Sequence, residues 1–363
     1  MDLDKEAMTL GDSVWIYGSG TFSVEIAEQV LQLGIQIAGI IDHLPGNVQI
    51  RGRTYFTQNL DELVLPDNST VLLGVCNLHG DLRKIRAFIL SACGSANIIS
   101  PVEFVHIISK SGLFLEKYWL GEGIDFYHKN SNDIEVFRGL LADQESLDLY
   151  DSILKYRKYG NIEDVPVPEP LSKQYLPNGL ATPPRDLRML DLGACQGENL
   201  DFFLDEGHMF NFGLFVEPDI KNFELLAQRI RDLDLLNVVT LPLAAWSSNI
   251  TLTFDGESNA SSHISNAGQV HVQAIKVDDM VGINRINYIK MDIEGAEMEA
   301  LIGASSVLLR DLPHLAISIY HKPEDLWTLG TFIDSLCKNK YNFFLRNYGH
   351  QTFDTLLYAI PKI

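Results

Sequence analysis

Basic residues are scarce in this sequence. Lys and Arg together number 28 against 48 Asp and Glu, which gives a formal net charge of −20 at pH 7. A surface this acidic repels phosphate backbones and anionic membranes. Nucleic acid and membrane partners are therefore not expected, and the composition favours a small-molecule substrate.

The sequence also has few cysteines and no long apolar run. Its four cysteines, Cys76, Cys93, Cys195 and Cys337, are far apart and form no CxxC pair, so we expect reduced thiols. No apolar stretch approaches the roughly 20 residues that span a bilayer, and the first residues lack the basic and apolar regions of a signal peptide. These absences predict a cytoplasmic protein.

Short apolar runs alternate with amphipathic stretches in two parts of the chain. The first part includes "SVWIYG", "IQIAGIID" and "TVLLGVC", and the second runs from "LRMLDLG" through "INYIKMD" to "YNFFLRN" and "TLLYAIP". Strands that alternate with helices favour parallel sheets with crossover helices. We therefore predict an α/β chain of two tandem Rossmann-like domains, residues 1–108 and 187–363, the second of which ends in a β-hairpin. Residues 109–186 are predicted as a helical connector, with one helix over 135–160, followed by a proline-broken extended arm.

A glycine turn follows the strand "LRMLDLG" at the start of the second domain. Asp191, Gly193 and Gly197 form a D-x-G-x-x-x-G pattern, in which the glycines let the backbone approach a ligand closely. The next strand ends in Glu217, where a carboxylate can accept both hydroxyls of a ribose. Acidic side chains at these two strand ends are typical of an S-adenosylmethionine site. The alternative is a tight turn with a solvated glutamate beside Pro218.

The strand "INYIKMD" ends in Asp292, and Glu294 follows in the first turns of a helix. Ligands of open α/β sheets bind at the carboxyl ends of the strands, so an ionised Asp292 at this position indicates a site. Glu294 is equally well explained by the favourable field of a helix N-terminus. Asp292 is therefore the stronger candidate of the two.

Six motifs together resemble the FkbM-type S-adenosylmethionine-dependent methyltransferases, over about residues 135–363: "DLGACQGENL", "FVEPD", "AAWS", "VDDM", "YIKMDIEGAEMEALIGA" and "ISIYHKPEDLW". The resemblance implies a class I methyltransferase fold, S-adenosyl-L-methionine as cofactor, and O-methylation of a saccharide or another small molecule. The cofactor residues that it implies are Asp191, Gly193, Ala194 and Gly197 at the methionine end, Glu217 and Pro218 at the ribose, and Ala245 and Trp246 at the adenine side.

The same resemblance assigns the transfer chemistry to two side chains. Asp292 would face the methyl-transfer site, and His321, at the end of the next strand, is the preferred general base for a hydroxyl acceptor. The two roles could also be exchanged. Ile319 stands where many members of the family carry Glu two residues before this histidine. For that reason no metal site is predicted.

Three further residues are predicted near the acceptor. His263 lies in the polar stretch "ESNASSHISNAG", which would form part of a substrate lid or a flexible loop. Tyr175, in the arm sequence "QYLP", would pack on the mouth of the active site or fill the seam between the domains. Glu294 is the third.

The first domain has its own glycine turn, "YGSGTFS". Gly18 and Gly20 match the first two glycines of G-x-G-x-x-G, Ser23 replaces the third, and Asp42 follows at the spacing of a ribose-binding acid. Residues 13–105 also resemble the nucleotide-sugar-binding domains of PglD-type sugar acyltransferases. Three interpretations stay open: a nucleotide-sugar site that presents the acceptor, a dinucleotide site, or a domain that binds nothing and serves as a docking surface.

The leading prediction is a methyltransferase that uses S-adenosyl-L-methionine and acts on a saccharide or another small-molecule hydroxyl. One rival is an NAD(P)-dependent oxidoreductase that uses the N-terminal glycine turn, although no Tyr-x-x-x-Lys or similar hydride-transfer group is evident there. The other rival is a nucleotide-sensing scaffold with an inactive methyltransferase core. The carboxylates Asp191, Glu217 and Asp292 argue against an inactive core, because an idle site does not need three strand-end acids.

Overall fold

The chain forms two compact units that are built from interleaved segments. The first unit comprises Met1–Ser131, Tyr150–Pro168 and Gly349–Phe353, and the second comprises Asn132–Leu149, Glu169–Tyr348 and Asp354–Ile363. Segment 109–186 thus contributes to both units. The computed structural model describes residues 10–59, 61–115, 118–255, 263–264 and 270–362.

The first unit contains a six-stranded sheet. Its strands are β1 (Ser13–Tyr17), β2 (Gln36–Ile41), β3 (Asn47–Ile50), β4 (Arg53–Gln58), β5 (Thr70–Leu73) and β6 (Asn97–Ile99), and its first helices are α1 (Thr21–Gln32), α2 (Leu82–Ala92) and α3 (Pro101–Ser109). The strand order is β3-β4-β2-β1-β5-β6, in which β3 and β4 are antiparallel and the other neighbours are parallel. Because β2 and β5 flank β1 on opposite sides, the strand order reverses beside the glycine turn that follows β1.

Local sequence explains where these elements form. The side chains of Val71, Leu72 and Leu73 in β5 are all fully buried, as expected for a parallel strand covered on both faces. Ser100 caps helix α3: its hydroxyl accepts the N–H of Glu103, while the Glu103 carboxylate accepts the N–H of Ser100. This reciprocal cap satisfies two helix-end donors that would otherwise lack partners.

The predicted single helix over 135–160 is wrong. The structure has α4 (Ile124–Lys129), α5 (Ser131–Arg138) and α6 (Gln144–Tyr159) in this part of the chain. Helix α5 ends before Gly139, a residue of low helix propensity. The Asp143 carboxylate accepts the N–H of Ser146 at 2.8 Å and thereby starts a new helix. In the proline-broken stretch that follows, Leu171–Lys173 form a 3-10 turn.

The second unit contains a seven-stranded sheet and a four-stranded sheet. Its strands are β7 (Asp186–Leu192), β8 (Met209–Val216), β9 (Val238–Leu241), β10 (Ala244–Trp246), β11 (Ile250–Asp255), β12 (His263–Ile264), β13 (Val270–Lys276), β14 (Tyr288–Met291), β15 (His314–Ser318), β16 (Tyr341–Asn347) and β17 (Thr355–Pro361). The larger sheet has the order β16-β17-β15-β14-β7-β8-β9, and the smaller has the order β10-β13-β11-β12. Strands β8 and β14 flank β7 on opposite sides, so the order reverses between β7 and β14. Ligands of open α/β sheets bind at such a reversal.

The carboxyl ends of five parallel strands lie side by side in the larger sheet. Strands β15, β14, β7, β8 and β9 are parallel neighbours in that order. The predicted terminal hairpin is present, because β16 and β17 pair antiparallel from Tyr341 opposite Pro361 to Asn347 opposite Thr355. Strand β17 lies between β15 and β16 and is antiparallel to both.

Apolar and aromatic side chains hold the helices of the second unit against its sheet. These helices are α7 (Leu200–Asp205), α8 (Ile220–Asp232), α9 (Val277–Val281), α10 (Glu297–Gly303), α11 (Ser305–Asp311) and α12 (Asp325–Cys337). One core cluster joins Phe203 of α7 and Leu226 of α8 to Phe215 and Tyr288 of the sheet. The Phe203 and Tyr288 rings pack edge to face at 5.3 Å.

The prediction of a mixed α/β chain with parallel sheets is confirmed. Among the described residues, no helix combines the length and the apolar character that crossing a membrane requires.

Candidate active site

The turn after β7 has a conformation that requires glycine. Gly193 has a φ of +78°, and a Cβ atom added there would lie 1.8 Å from the backbone oxygen of Asp292. The N–H groups of Gly193 and Ala194 both donate to the carbonyl of Val216, at 2.9 and 3.0 Å. The turn therefore joins the ends of β7 and β8 through backbone hydrogen bonds and lies close against the backbone at the end of β14. Gly197, with a φ of +81°, ends the pattern beside Leu226.

Glu217 follows β8 and is held by the backbone of two turns. Its Oε2 accepts the N–H of Cys195 and its Oε1 accepts the N–H of Asp219, both at 2.8 Å. Burial raises the pKa of the carboxyl, and the two N–H donors oppose this shift. Each carboxylate oxygen has further lone pairs, so a fixed Glu217 can still accept hydroxyl groups. Pro218 follows, and Asp219 caps helix α8.

Asp191 has a partner within the protein, which sequence reasoning missed. The Lys290 ammonium lies 2.9 Å from Asp191 Oδ1 and 2.7 Å from the carbonyl oxygen of Gly193, and both side chains are buried. Burial alone would lower the pKa of Lys290, but Asp191 and Asp292 raise it above its ordinary value, so the lysine is charged. Burial raises the pKa of Asp191, and the charge and hydrogen bond of Lys290 act against that rise. The role of Asp191 at the methionine end of a cofactor stays a prediction.

The residues predicted for the adenine side lie in the smaller sheet. Ala244 and Ala245 are buried in β10 and Trp246 is half-buried. Strand β10 pairs in parallel with β13, with Ala245 opposite Ile275. Their contact with an adenine ring stays a prediction.

Four side chains form a carboxylate–imidazole cluster at the ends of β14 and β15. His321 Nε2 lies 3.5 Å from Asp292 Oδ1 and 3.6 Å from Glu294 Oε2. His321 Nδ1 lies 2.9 Å from Oε1 of Glu297, which also accepts the N–H of Ile293 at 3.0 Å. His321 and Glu297 are buried, whereas the Asp292 and Glu294 side chains are 25% and 21% exposed. Asp292 and Glu294 are thus the two groups of the cluster that a substrate can reach.

The electrostatics of the cluster favour bound protons. Burial opposes the charged form of His321, but Glu297, Glu294 and Asp292 raise its pKa to about 10. Burial raises the pKa of Glu294 to about 8, with His321 opposing and Asp292 adding to the shift. Two neighbouring acids, Asp325 and Asp354, also have raised pKa values, and neither was predicted as a site residue from the sequence. Burial and Glu297 raise the pKa of Asp325 to about 7, and burial and Asp292 raise that of Asp354 to about 6.

A cation could be held by part of this cluster. Asp292, Glu297 and His321 each offer a donor atom, and these three atoms lie within 4.8 Å of one another. Glu297 is not among the site residues predicted from the sequence. It could be recognised as a site residue only once the fold had brought it to the ring of His321.

Of the predicted acceptor residues Tyr175 and His263, only Tyr175 has side-chain contacts that the structure describes. Tyr175 is buried, its carbonyl accepts the hydroxyl of Tyr288 at 2.7 Å, and the Lys290 ammonium lies 5.5 Å from its ring centroid. The arm therefore packs beside the Asp191–Lys290 pair. His263 belongs to the short strand β12, between stretches outside the described residues, and its role in a lid stays a prediction.

The glycine turn of the first unit is ordered by its own hydrogen bonds. Gly18 has a φ of +106° and donates its N–H to the carbonyl of Ile41, and a Cβ atom there would lie 2.9 Å from Ser23 Oγ. The Ser23 hydroxyl, in place of a third glycine, donates to the Gly74 carbonyl at 2.8 Å. Ser19 donates to Asp42 at 2.6 Å, which joins the turn to the end of β2. Gly20 is the N-cap residue of α1.

Comparison with known proteins bears on the second unit above all. Residues 191–349, less than half of the chain, match the family model of the methyltransferase FkbM domain. The crystal structure of a methyltransferase FkbM from Methylobacillus flagellatus KT aligns with 96% of this chain and 90% of its own, at 22% sequence identity and a TM-score of 0.77. This alignment shows a shared fold.

Two other solved structures align over about half of the chain. Aeropyrum pernix fibrillarin, in complex with S-adenosyl-L-methionine, covers 52% of this chain and 73% of its own at 13% identity and a TM-score of 0.33. An rRNA methylase from Streptococcus thermophilus covers 50% of this chain and 89% of its own at 14% identity and a TM-score of 0.34. These TM-scores are too low to indicate a shared fold.

No curated protein matches the chain significantly. The resemblance of residues 13–105 to PglD-type domains is not confirmed by the comparisons and stays a prediction. Residues 191–349 carry the glycine turn, Glu217 and the carboxylate–imidazole cluster, and they match the methyltransferase FkbM domain, which suggests a methyltransferase.

Proposed function

We propose that this protein is an S-adenosylmethionine-dependent methyltransferase that acts on a hydroxyl group of a small molecule, such as a saccharide. The observation that carries the proposal is the grouping of three features at neighbouring strand ends. The glycine turn follows β7, Glu217 follows β8, and the Asp292–His321 cluster follows β14 and β15.

The Glu217 side chain suits the ribose of the cofactor, and this fit can be tested. Glu217 is buried and fixed by two N–H donors, yet its oxygens keep lone pairs for the two hydroxyls of a ribose. Gly193 and Ala194 would line the methionine end through their backbone, because the Asp191 carboxylate is paired with Lys290. Ala245 and Trp246 would lie at the adenine side. When bound, the cofactor supplies an activated methyl group.

The acidic cluster would orient the acceptor and take its proton. Asp292 and Glu294 are partly exposed, and a hydroxyl in reach of both would donate to Asp292 and accept from Glu294, whose pKa of about 8 keeps it protonated at neutral pH. A positioned proton acceptor contributes typically about 10²- to 10⁴-fold to a rate. His321, with a pKa of about 10, carries a proton at neutral pH in this arrangement, so the base role passes from His321 to Asp292. This is the exchange of roles that the sequence left open.

Calorimetric titration of the full chain tests the proposal. We expect S-adenosylhomocysteine to bind with one site per chain, and Glu217→Gln to weaken that binding at least tenfold. The matched control is Glu224→Gln, which replaces an exposed glutamate of helix α8 and should leave binding unchanged. Absence of binding, or equal binding by Glu217→Gln, contradicts the proposal.

Separate titrations with NAD and a UDP-sugar distinguish the rival functions. Binding of NAD alone would favour an oxidoreductase that uses Gly18, Gly20 and Asp42. Binding of a UDP-sugar together with S-adenosylhomocysteine would favour a first unit that presents the acceptor. A chain that binds nucleotides but transfers no methyl group to any hydroxyl acceptor would be a sensor or scaffold.

A further inference from the structure

A polar cleft of the second unit lies at the amino ends of β7 and β8. Its volume is about 200 Å³, which is space for roughly six water molecules. The arm contributes Lys173, Leu176 and Leu180, and Arg185 lines the cleft from the position before β7. Because β7 has seven residues at about 3.3 Å each, the cleft lies about 20 Å from the glycine turn at the other end of this strand. It is therefore separate from the candidate active site.

His208 lines this cleft with one ring nitrogen bonded and the other available. Its side chain is buried, and its ring packs edge to face on Phe203 at 6.0 Å. Nδ1 lies 3.1 Å from the carbonyl oxygen of Pro184, which can only accept, so Nδ1 carries the hydrogen. In the part of the chain that the structure describes, no group bonds to Nε2.

The His208 ring is neutral at pH 7. Burial lowers its pKa, with Arg185 adding to this shift, while the hydrogen bond to Pro184 and the charge of Glu206 oppose it. A neutral ring with its hydrogen on Nδ1 has a lone pair on Nε2. His208 therefore offers a ligand in the cleft a hydrogen-bond acceptor.

Two cations and one carboxylate share the cleft with this histidine. The Lys173 ammonium lies 2.8 Å from a carboxylate oxygen of Glu206, so these two charges balance each other. Nη1 of Arg185 donates to the backbone carbonyl of Glu206, which holds the guanidinium at the cleft. A guanidinium has five N–H donors, so Arg185 keeps donors for an anion. The positive charge that no carboxylate of the cleft balances is that of Arg185.

A ligand that suits these groups must donate to Nε2 of His208 and accept from Arg185. A phosphate that retains a proton does both, because its P–OH donates and its other oxygens accept. Sulfate has no proton at neutral pH and would bring an oxygen lone pair against the lone pair of Nε2. The two side chains together therefore favour phosphate over sulfate.

We propose that this cleft binds a hydrogen phosphate group, held by Arg185 and by Nε2 of His208. The cleft has room for the ion alone or for a small phosphate monoester, whose carbon atoms would contact Leu176 and Leu180. The site does not rest on the proposed function, because Glu217 and the glycine turn lie at the other ends of the same strands.

Calorimetric titrations of the full chain with inorganic phosphate and with sulfate, at about pH 7.5 and equal ionic strength, test the site. We expect one phosphate per chain and about tenfold weaker binding of sulfate, the size expected for the loss of one hydrogen bond that involves a charged group. Arg185→Gln should weaken phosphate binding about tenfold for the same reason. The matched control is Arg231→Gln, which removes the same charge from an exposed position of helix α8 and should change neither affinity.

His208→Asn tests the acceptor atom itself. The asparagine amide can still donate to the Pro184 carbonyl, but Nε2 is lost. This variant should bind phosphate more weakly and should no longer prefer it to sulfate. If His208→Asn fails to fold, as judged by circular dichroism, the wild-type comparison of the two anions and Arg185→Gln still decide.

Three outcomes overturn the proposal: no saturable phosphate binding, equal affinities of the wild type for phosphate and sulfate, or unchanged phosphate binding by Arg185→Gln. Titration with glycerol phosphate distinguishes the sources of the group, because tighter binding than inorganic phosphate indicates a monoester and weaker binding indicates the free ion. Glu217→Gln should bind phosphate as the wild type does. Failure of the cofactor site and failure of the phosphate site are therefore distinguishable.

Discussion

Replacing Lys290 with methionine should destabilise the second unit strongly and in a pH-dependent way. Lys290→Met fills a similar volume but removes the ammonium that lies 2.9 Å from Asp191 Oδ1 and 2.7 Å from the Gly193 carbonyl. Removing one partner of a buried ion pair leaves an uncompensated charge, and this typically costs about 3–5 kcal/mol of unfolding free energy.

Asp191 without its lysine can take up a proton, and the free energy of that protonation sets the upper limit of the destabilisation. Protonating a carboxyl of ordinary pKa, about 3.9, at pH 7.5 costs about 5 kcal/mol, whereas at pH 5 it costs about 1.5 kcal/mol. The destabilisation should therefore be about 3–5 kcal/mol at pH 7.5 and about 1.5 kcal/mol at pH 5. For a unit of this size that corresponds to roughly 10 °C in Tm at pH 7.5 and about half as much at pH 5.

Thermal unfolding followed by far-UV circular dichroism at the two pH values measures the effect. The double variant Lys290→Met/Asp191→Asn removes the unpaired charge and should recover much of the loss at pH 7.5. The matched control is Lys173→Met, which breaks a pair of similar length, 2.8 Å to Glu206, whose partners are 31% and 51% exposed. Exposed pairs contribute at most about 1 kcal/mol, so this control should change Tm little. A Lys290→Met loss below 2 °C, or one that is equal at both pH values, would refute the reasoning.

The remaining predictions concern the glycine turn, the ribose acid and the cluster. Gly193→Ala should abolish S-adenosylhomocysteine binding in calorimetry and lower Tm, because its Cβ would meet the Asp292 backbone. The control Gly179→Ala has a similar φ of +75° but open space around the added Cβ, so it should lower Tm slightly and leave binding unchanged. Equal behaviour of the two variants would contradict this prediction. Glu217→Ala should weaken S-adenosylhomocysteine more than Glu217→Gln does, since it also removes both acceptors of backbone N–H groups; a competition titration ranks the two variants. The free energy of unfolding should fall as pH rises from about 6 to 10. The folded state raises the pKa of His321 to about 10 and that of Glu294 to about 8. Over this range the folded protein therefore keeps protons that the unfolded chain has already lost. Each such proton corresponds to about 1.4 kcal/mol per pH unit, and a Tm that is flat or rises over this range in metal-free buffer would contradict the assignment.

The sequence predicted the elements that local patterns define. The apolar runs around Leu190, Leu214 and Ile289 became β7, β8 and β14, and the D-x-G-x-x-x-G pattern became the turn after β7. These features depend on periodicity and on the conformational freedom of glycine, which are properties of short segments. The break at Gly139 was missed because the apolar spacing continues across it, while the cap supplied by Asp143 is what starts α6.

The pairing of charges could not be read from the sequence. Lys290 and Asp191 are 99 residues apart and meet because β14 pairs with β7 in a register that sets them opposite each other. A lysine in the apolar string "NYIKM" was the one available signal, since a buried lysine requires a partner. Asp354 lies beyond the last α-helix and carries no local pattern, and it comes near Asp292 because the following strand β17 pairs with both β15 and β16.

The position of Lys290 explains why two strand-end aspartates have different properties. Lys290 and Asp292 are two residues apart at the end of one strand, where alternate side chains share a face, so one ammonium acts on both Asp191 and Asp292. The Lys290 ammonium forms a direct ion pair with Asp191, whereas it acts on Asp292 only through space. The charge of Asp191 is therefore balanced inside the protein, and Asp292 is the accessible acid of the pair. A cationic ligand, whether a metal ion or a sulfonium, should accordingly respond to Asp292→Asn far more than to Asp191→Asn, once the two variants are compared at equal fractions of folded protein.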